Sequence, residues 1–219
     1  MKIRMLVPAF ALSMLVGCSF PSFNSPKGEE SSRMNMEEAA NRAEEILDGT
    51  MGAIEPPVTW GRGPSSEPIC TDFKNDATGG GEVTRRRLAL TIISAERRGS
   101  FLGVVERYWK KSGYTIKSVR NHPENPAIFA STSDGFGLSL EVGYKGQVFL
   151  DVGSPCVTKS EVSDPPADPH SSELPPNPND PKDPMADGPW GLPYLTSDFW
   201  SAKPAPEPSG NSLPSTSSQ

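Results

Sequence analysis

The stretch FGLSLEVGY, residues 136 to 144, alternates Phe136, Leu138, Leu140, Val142 and Tyr144 with Gly, Ser, Glu and Gly. A strand sends successive side chains to opposite faces, so this period of two predicts one buried and one solvated face. Lys145-Gly146 then turns the chain into QVFLDVG, residues 147 to 153, while Asp134-Gly135 marks a tight turn on the other side. Before that turn, AIFAST (127 to 132) and YTIKSVR (114 to 120) read as two more strands, separated by NHPENP. Short turns between consecutive strands predict antiparallel neighbours.

Further upstream, RRRLALTIIS at 85 to 94 reads as a fifth strand, with Leu88, Leu90 and Ile92 on one face. Between it and residue 114, Phe101, Leu102, Val104, Val105, Tyr108 and Trp109 recur at helical spacing, opposite Glu106, Arg107 and Lys110. Ser100 is the expected cap and Gly113 the expected stop. An earlier helix is signalled by Asn35 and Glu38, the spacing of a capping box, followed by Met36, Ala39, Ala40, Ala43, Ile46 and Leu47 on one face. Gly49 is its expected end.

Helix, strand, helix and four strands predict an α+β two-layer sandwich, a mainly antiparallel five-stranded sheet with two helices on one face. The connection through the second helix leaves room for one parallel pair. Residues 50 to 82 lack periodicity, with Trp60 and Cys70 as anchor points, and the GGG at 79 to 81 reads as a flexible turn. A phosphate loop is excluded there because no Lys-Ser/Thr follows.

The expected boundaries are a signal peptide at 1 to 17, a spacer at 18 to 34, the α+β domain at 35 to 159 and a disordered tail at 160 to 219. Lys2 and Arg4 precede an apolar run from Met5 to Val16, too short for a membrane span and interrupted by Pro8. Leu15, Val16, Gly17 and Cys18 match the four positions of the lipobox, so the start of the chain resembles bacterial lipoprotein signal peptides. The resemblance implies diacylglyceryl transfer to the Cys18 sulfur, cleavage before it, and a lipid anchor facing outside the cytoplasm. The order of lipobox, polar spacer, small domain and Pro-rich extension resembles actinobacterial surface lipoproteins, whose implied place is the plasma membrane.

With Cys18 assigned to lipid, Cys70 and Cys156 are an even pair in an exported chain, read as a disulfide; two buried thiols are the alternative. There is no C-x-x-C, and His122 and His170 are the only histidines, so neither a metal site nor a cofactor is expected. No G-x-S-x-G occurs, and acid pairs such as Glu37-Glu38 and Glu44-Glu45 fall on the polar face of a helix. A non-enzymatic role is therefore expected, and nucleic acid is an unsuitable partner for an exported protein.

Charge is uneven. The tail from Ser160 holds fourteen prolines and nine acids against Lys182 and Lys203, whereas residues 18 to 159 are nearly neutral. Between Arg85 and Arg120 ten basic residues face only Glu96 and Glu106. Arg85, Arg86, Arg87, Arg97, Arg98, Lys110 and Lys111 are thus candidates for a surface that binds an anionic lipid, an anionic wall polymer or an envelope protein, with ordinary surface charge as the alternative. Within the tail, GPWGLPYLTSDFW (188 to 200) gathers Trp190, Tyr194, Phe199 and Trp200, candidates for a docking element toward a partner or the domain itself. A carrier of small molecules or lipids is the other functional class, and it requires a cavity between sheet and helices.

Overall fold

The computed structural model describes residues 34 to 165, apart from 144, and residues 193 to 203. Cys18, Trp190 and the proposed signal peptide therefore lie outside the described residues. The chain is α+β. Helix α1 (Met36–Gly52) precedes β1 (Trp60–Arg62), β2 (Ile69–Thr71), β3 (Ala77–Gly81) and β4 (Thr84–Ala89). A 3-10 turn at Ala95–Arg97 leads into α2 (Arg98–Lys111). Then come β5 (Thr115–Arg120), β6 (Ala127–Ser131), β7 (Gly137–Val142), β8 (Val148–Gly153) and β9 (Val157–Thr158).

The main sheet has six strands in the order β1-β4-β8-β7-β6-β5, and every pairing in it is antiparallel. The sixth strand, β1, falls in the segment whose sequence lacks periodicity. Among the described residues β4 and β5 form no parallel pair, because α2 carries the chain from β4 across the sheet to its far edge, where β5 lies beside β6. A second sheet, β2-β3-β9, uses residues expected to be loop, including the three glycines.

Register explains the core. Leu138, Leu140 and Val142 of β7 stand opposite Val152, Leu150 and Val148 of β8, and all six are buried. The same row continues through Ala130 and Ile128 of β6. It meets Ala39, Ala43, Ile46 and Leu47 of α1 and Phe101, Leu102, Val105 and Trp109 of α2 in one apolar cluster. Both helices thus cover the same face. Each Leu, Ile or Val buried in this row contributes about 1.5 to 3 kcal/mol by area removed from water.

Helix ends differ in part from expectation. The Asn35–Glu38 capping box forms, with Glu38 N–H donating to Asn35 Oδ1 and Asn35 N–H to Glu38 Oε2, both at 2.9 Å. Gly49, however, does not end α1. The Tyr108 hydroxyl from α2 occupies the space where a Cβ would stand, so the glycine serves close helix packing inside the last turns. Helix α2 begins at Arg98 rather than after Ser100, because the 3-10 turn already feeds the chain into helical geometry.

A bulge at Lys117 rephases the edge strand β5: Ile116 faces Ala130 and Ser118 faces Phe129, so Ile116 and Val119 share the helix-covered side despite their odd spacing. The bulge and two basic side chains, Lys117 and Arg120, protect this edge against strand addition.

The tail is not uniformly outside the fold, as expected for 160 to 219. Leu195 forms a parallel bridge with Thr91, and Ile92 N–H donates to Leu195 O at 2.8 Å. Trp200 is 1% exposed and belongs to the core cluster. Its ring meets Phe101 edge-on at 5.1 Å, within the favoured range for aromatic pairs. A large apolar surface in a Pro-rich context finds its burial in the domain rather than in a sequence-local core.

Candidate functional site

Strand β4 carries the three consecutive arginines, and period two sends them to different faces. Arg85 and Arg87 point under α1 and are 2% and 1% exposed, which no surface-binding role tolerates. This reverses the expected inward face of the strand. Leu88 lies on the other side, and Arg85, Arg87 and Ala89 face the helices. Burial of the arginines is offset by acids of α1 and the β1–β2 connection: Arg87 contacts Glu44 and donates to Asp48 at 2.7 Å, and Arg85 donates to Glu67 at 2.5 Å. Arg62 adds a third cation at Glu44, and the Arg87 guanidinium lies 4.7 Å from the Trp60 ring centre. Burial opposes ionisation of Glu44, but hydrogen bonding and charge from Arg87, with Arg62, outweigh it and hold the carboxyl below its usual range.

The other expected basic residues do not converge. Arg98 is 6% exposed and donates to the Glu124 carbonyl at 2.5 Å, bracing the β5–β6 loop. Arg97 stacks on Phe199 at 4.3 Å, Lys110 pairs with Glu106 at 2.6 Å one turn earlier, and Lys111 ends α2 exposed. The expected basic surface is thus dispersed among a buried ion cluster, a loop brace and a helix end. The aromatic tail element divides likewise. Tyr194 N–H donates to Leu90 O, Trp200 is buried, and Phe199 is 38% exposed beside Arg97. Cys70 and Cys156 are bridged, with Cα atoms 6.0 Å apart. The bridge ties β2 to the start of β9.

What remains open is the helix-free face of the main sheet, which sequence reasoning did not single out. Arg86 is the arginine that points there. It makes a two-point bond to Asp151 of β8, Nε to Oδ1 at 2.5 Å and Nη2 to Oδ2 at 3.0 Å, and lies 5.5 Å from the Phe149 ring centre. The bond to Asp151, opposed by partial burial, raises the Arg86 pKa further. At the far edge of the sheet, Arg120 of β5 bonds Glu141 of β7 at 3.0 Å and the Asn125 carbonyl at 3.0 Å. These groups border a hollow of about 340 Å³, lined by Arg86, Arg120, Asn125, Glu141, Phe149 and Asp151.

The hollow presents one aromatic surface between two ion pairs of opposite orientation. Such a surface suits reversible contact with a polar chain, since Arg120 and Glu141 are each close to half exposed and can exchange partners at little cost. His122 does not enter it as a base: its Nδ1 accepts the Glu124 and Asn125 N–H groups within its own turn. Among the described residues no group of three His, Cys, Asp or Glu side chains could hold a metal ion, and no helix is long and apolar enough to cross a membrane.

No family model matches the chain, and no curated protein matches it. Two solved structures resemble it. A DUF4853 family protein from Actinomyces odontolyticus ATCC 17982 is 13% identical, with 66% of this chain and 78% of that chain covered at a TM-score of 0.37. LppA from Mycobacterium tuberculosis, described as a candidate lipoprotein, is 19% identical, with 66% and 88% covered at a TM-score of 0.34.

Proposed function

We propose that this chain is a non-enzymatic envelope lipoprotein, anchored through acyl chains on Cys18 to the outer face of the plasma membrane. Its domain then binds another envelope component. The observation that carries the reading is the run Leu15-Val16-Gly17-Cys18 behind a short basic and apolar leader. The Cys70–Cys156 bridge supports it, because such bonds persist outside the reducing cytosol. Two acyl chains anchor stably where one is marginal.

In this reading the helix pair over the six-stranded sheet acts as a two-layer sandwich, and its uncovered face is the contact surface. The hollow around Phe149 replaces the dispersed arginines as the place for a partner, with an envelope protein or an anionic wall polymer as the chemical class. The carrier reading gains nothing from the interior, where Phe101, Trp109, Phe136 and Trp200 fill the space between sheet and helices.

The test has two readouts. Mass spectrometry of the native amino terminus should find a modified Cys18, and Cys18→Ala should move the protein from detergent-rich to aqueous phase. A photo-crosslinker at Ser139, on the uncovered face, should capture a partner in intact cells that the same probe at Lys111 does not. An unmodified Cys18 removes the anchor; equal capture at both positions removes the surface.

A further inference from the structure

We infer that the β2–β3 hairpin is a membrane-contacting element that lays Ile69 and Phe73 against the lipid interface; the inference rests on the lipid-anchored reading. Among the described residues, four large apolar side chains are exposed, and the two most exposed, Phe73 at 92% and Ile69 at 56%, belong to this one hairpin. Ile69 is exposed because Cys70 points inward to its bridge and its strand neighbours Ile69 and Thr71 point outward, and Phe73 is exposed in the turn that follows.

The hairpin is built to present them rigidly. Asp72 Oδ1 accepts from Lys74 N–H at 2.8 Å and Asp76 N–H at 3.0 Å, and Asp72 N–H donates to Asp76 O at 2.9 Å. The disulfide holds its base. Beside Ile69 lies a hollow of about 230 Å³ bordered by Met36, Pro68 and Val162, with Glu67, Lys159 and Ser160 at its polar side.

Where the chain enters the domain points to the occupant. Asn35 bridges Thr158 of β9, and Thr158 pairs with Gly80 of β3, so the segment leading back to Cys18 joins this same small sheet. From that row to Ala77 at the turn is three residues, roughly 10 Å at strand spacing. Met34 follows Cys18 by sixteen residues of sequence, a reach of at most about 55 Å, so the tether keeps the hairpin in the neighbourhood of the bilayer.

Lys74 is flanked in sequence by Asp72 and Asp76, and its ammonium lies 5.4 Å from the Phe73 ring centre, so attraction to anionic lipid does not drive the contact. It is apolar insertion, held by the tether, and neutral lipid suffices. Salt leaves it unchanged.

With Cys70 and Cys156 paired, Cys18 is the free thiol of the chain beginning at residue 18. Coupling it to a maleimide lipid in phosphatidylcholine vesicles with brominated acyl chains supplies the anchor chemically. Tryptophan placed by Phe73→Trp, and separately by Ile69→Trp, should show a blue shift and quenching above the unsubstituted background, at low and high salt. Phe199→Trp, the comparison on the far tail segment, should show neither. Emission from both hairpin probes equal to that of uncoupled protein, or quenching equal at all three positions, overturns the inference; the first outcome leaves the hairpin to a protein partner. Because coupling is chemical, this result is independent of whether cells acylate Cys18, which mass spectrometry of the native protein reads separately.

Discussion

Trp200 donates its indole N–H to the carbonyl of Pro56 at 2.6 Å, across 144 residues of sequence. The bond satisfies the polar atom of a side chain otherwise enclosed by apolar neighbours. It also closes the domain around a residue from the Pro-rich tail, which makes 193 to 203 part of the folding unit. Trp200→Ala should therefore lower unfolding free energy by about 3 to 5 kcal/mol, the range for truncating a buried tryptophan. Phe199→Ala removes an exposed ring on Arg97 and should cost about 1 kcal/mol or less. Urea melts of the two variants check the contrast. A chain ending at Lys159 should resemble Trp200→Ala, so loss of binding in that truncation would report unfolding as well as a missing tail.

The ion cluster beneath α1 predicts acid sensitivity with a definite sign. Glu44 titrates lower in the folded chain than in the unfolded one, because Arg87 and Arg62 overcome its burial. Asp134 shifts the same way: burial acts against it, while bonds from Thr132 and Arg42 prevail. Groups with depressed folded values contribute stability above the unfolded carboxyl range, near pH 4, and lose it as pH falls through their folded values. Urea midpoints should be flat from pH 7 to about 5 and fall below that. Glu44→Gln should show a smaller fall over the same range and a lower plateau at neutral pH, by about 1.5 to 3 kcal/mol, because buried Arg87 then keeps Asp48 but loses its charged bond to Glu44.

The bridge between Cys70 and Cys156 closes a span of 86 residues. Chain entropy assigns such a loop roughly 4 to 5 kcal/mol of stabilisation. The small sheet depends on it most, since β2, β3 and β9 have two to five residues each. Cys70→Ser with Cys156→Ser should expose the amides of β2 and β9 to hydrogen exchange first, while β6, β7 and β8 stay protected. Uniform loss of protection would mean that the bridge supports the whole domain equally.

Legibility followed how each residue is buried. Strand β7 alternates apolar and polar because one face meets the helices and the other meets water, so period two survives in its sequence, whereas Phe129 in β6 and Phe149 in β8 interrupt the same pattern. Strand β4 does not show it, since its inward positions are Arg85 and Arg87, whose burial depends on acids 18 to 43 residues away. Even there the spacing of two held a clue, as Arg85, Arg87 and Ala89 form one face. Strand β1 is three residues long and Trp200 stands in a tail of low hydrophobic content, so neither leaves a periodic signal. The open-face hollow joins side chains from β4, β5, β7 and β8, an arrangement that only strand order creates.

The three glycines from 79 to 81 are the plainest case of composition misread as flexibility, and they carry the last prediction. Gly79 has φ of +85°, a conformation that favours glycine. Gly80 has no such backbone need, yet a Cβ there would stand 2.6 Å from the Cys156 sulfur and 2.8 Å from the Val157 carbonyl. Gly81 is filled over by the Met36 side chain. The glycines thus let β3 approach the disulfide, β9 and the first turn of α1 at once. Gly80→Ala must push a backbone carbonyl or the bridge aside, and overpacking of this kind costs about 1 to 3 kcal/mol. Gly81→Ala meets a flexible thioether that can swing away, so its cost should be smaller. Gly52→Ala, where a Cβ meets nothing within 4 Å, should instead raise stability by a few tenths of a kcal/mol or more, because it sits at the end of α1. Denaturant midpoints ordered Gly52→Ala, Gly81→Ala, Gly80→Ala from highest to lowest would confirm that this segment is packed rather than loose; Gly80→Ala equal to Gly52→Ala would show that it is not.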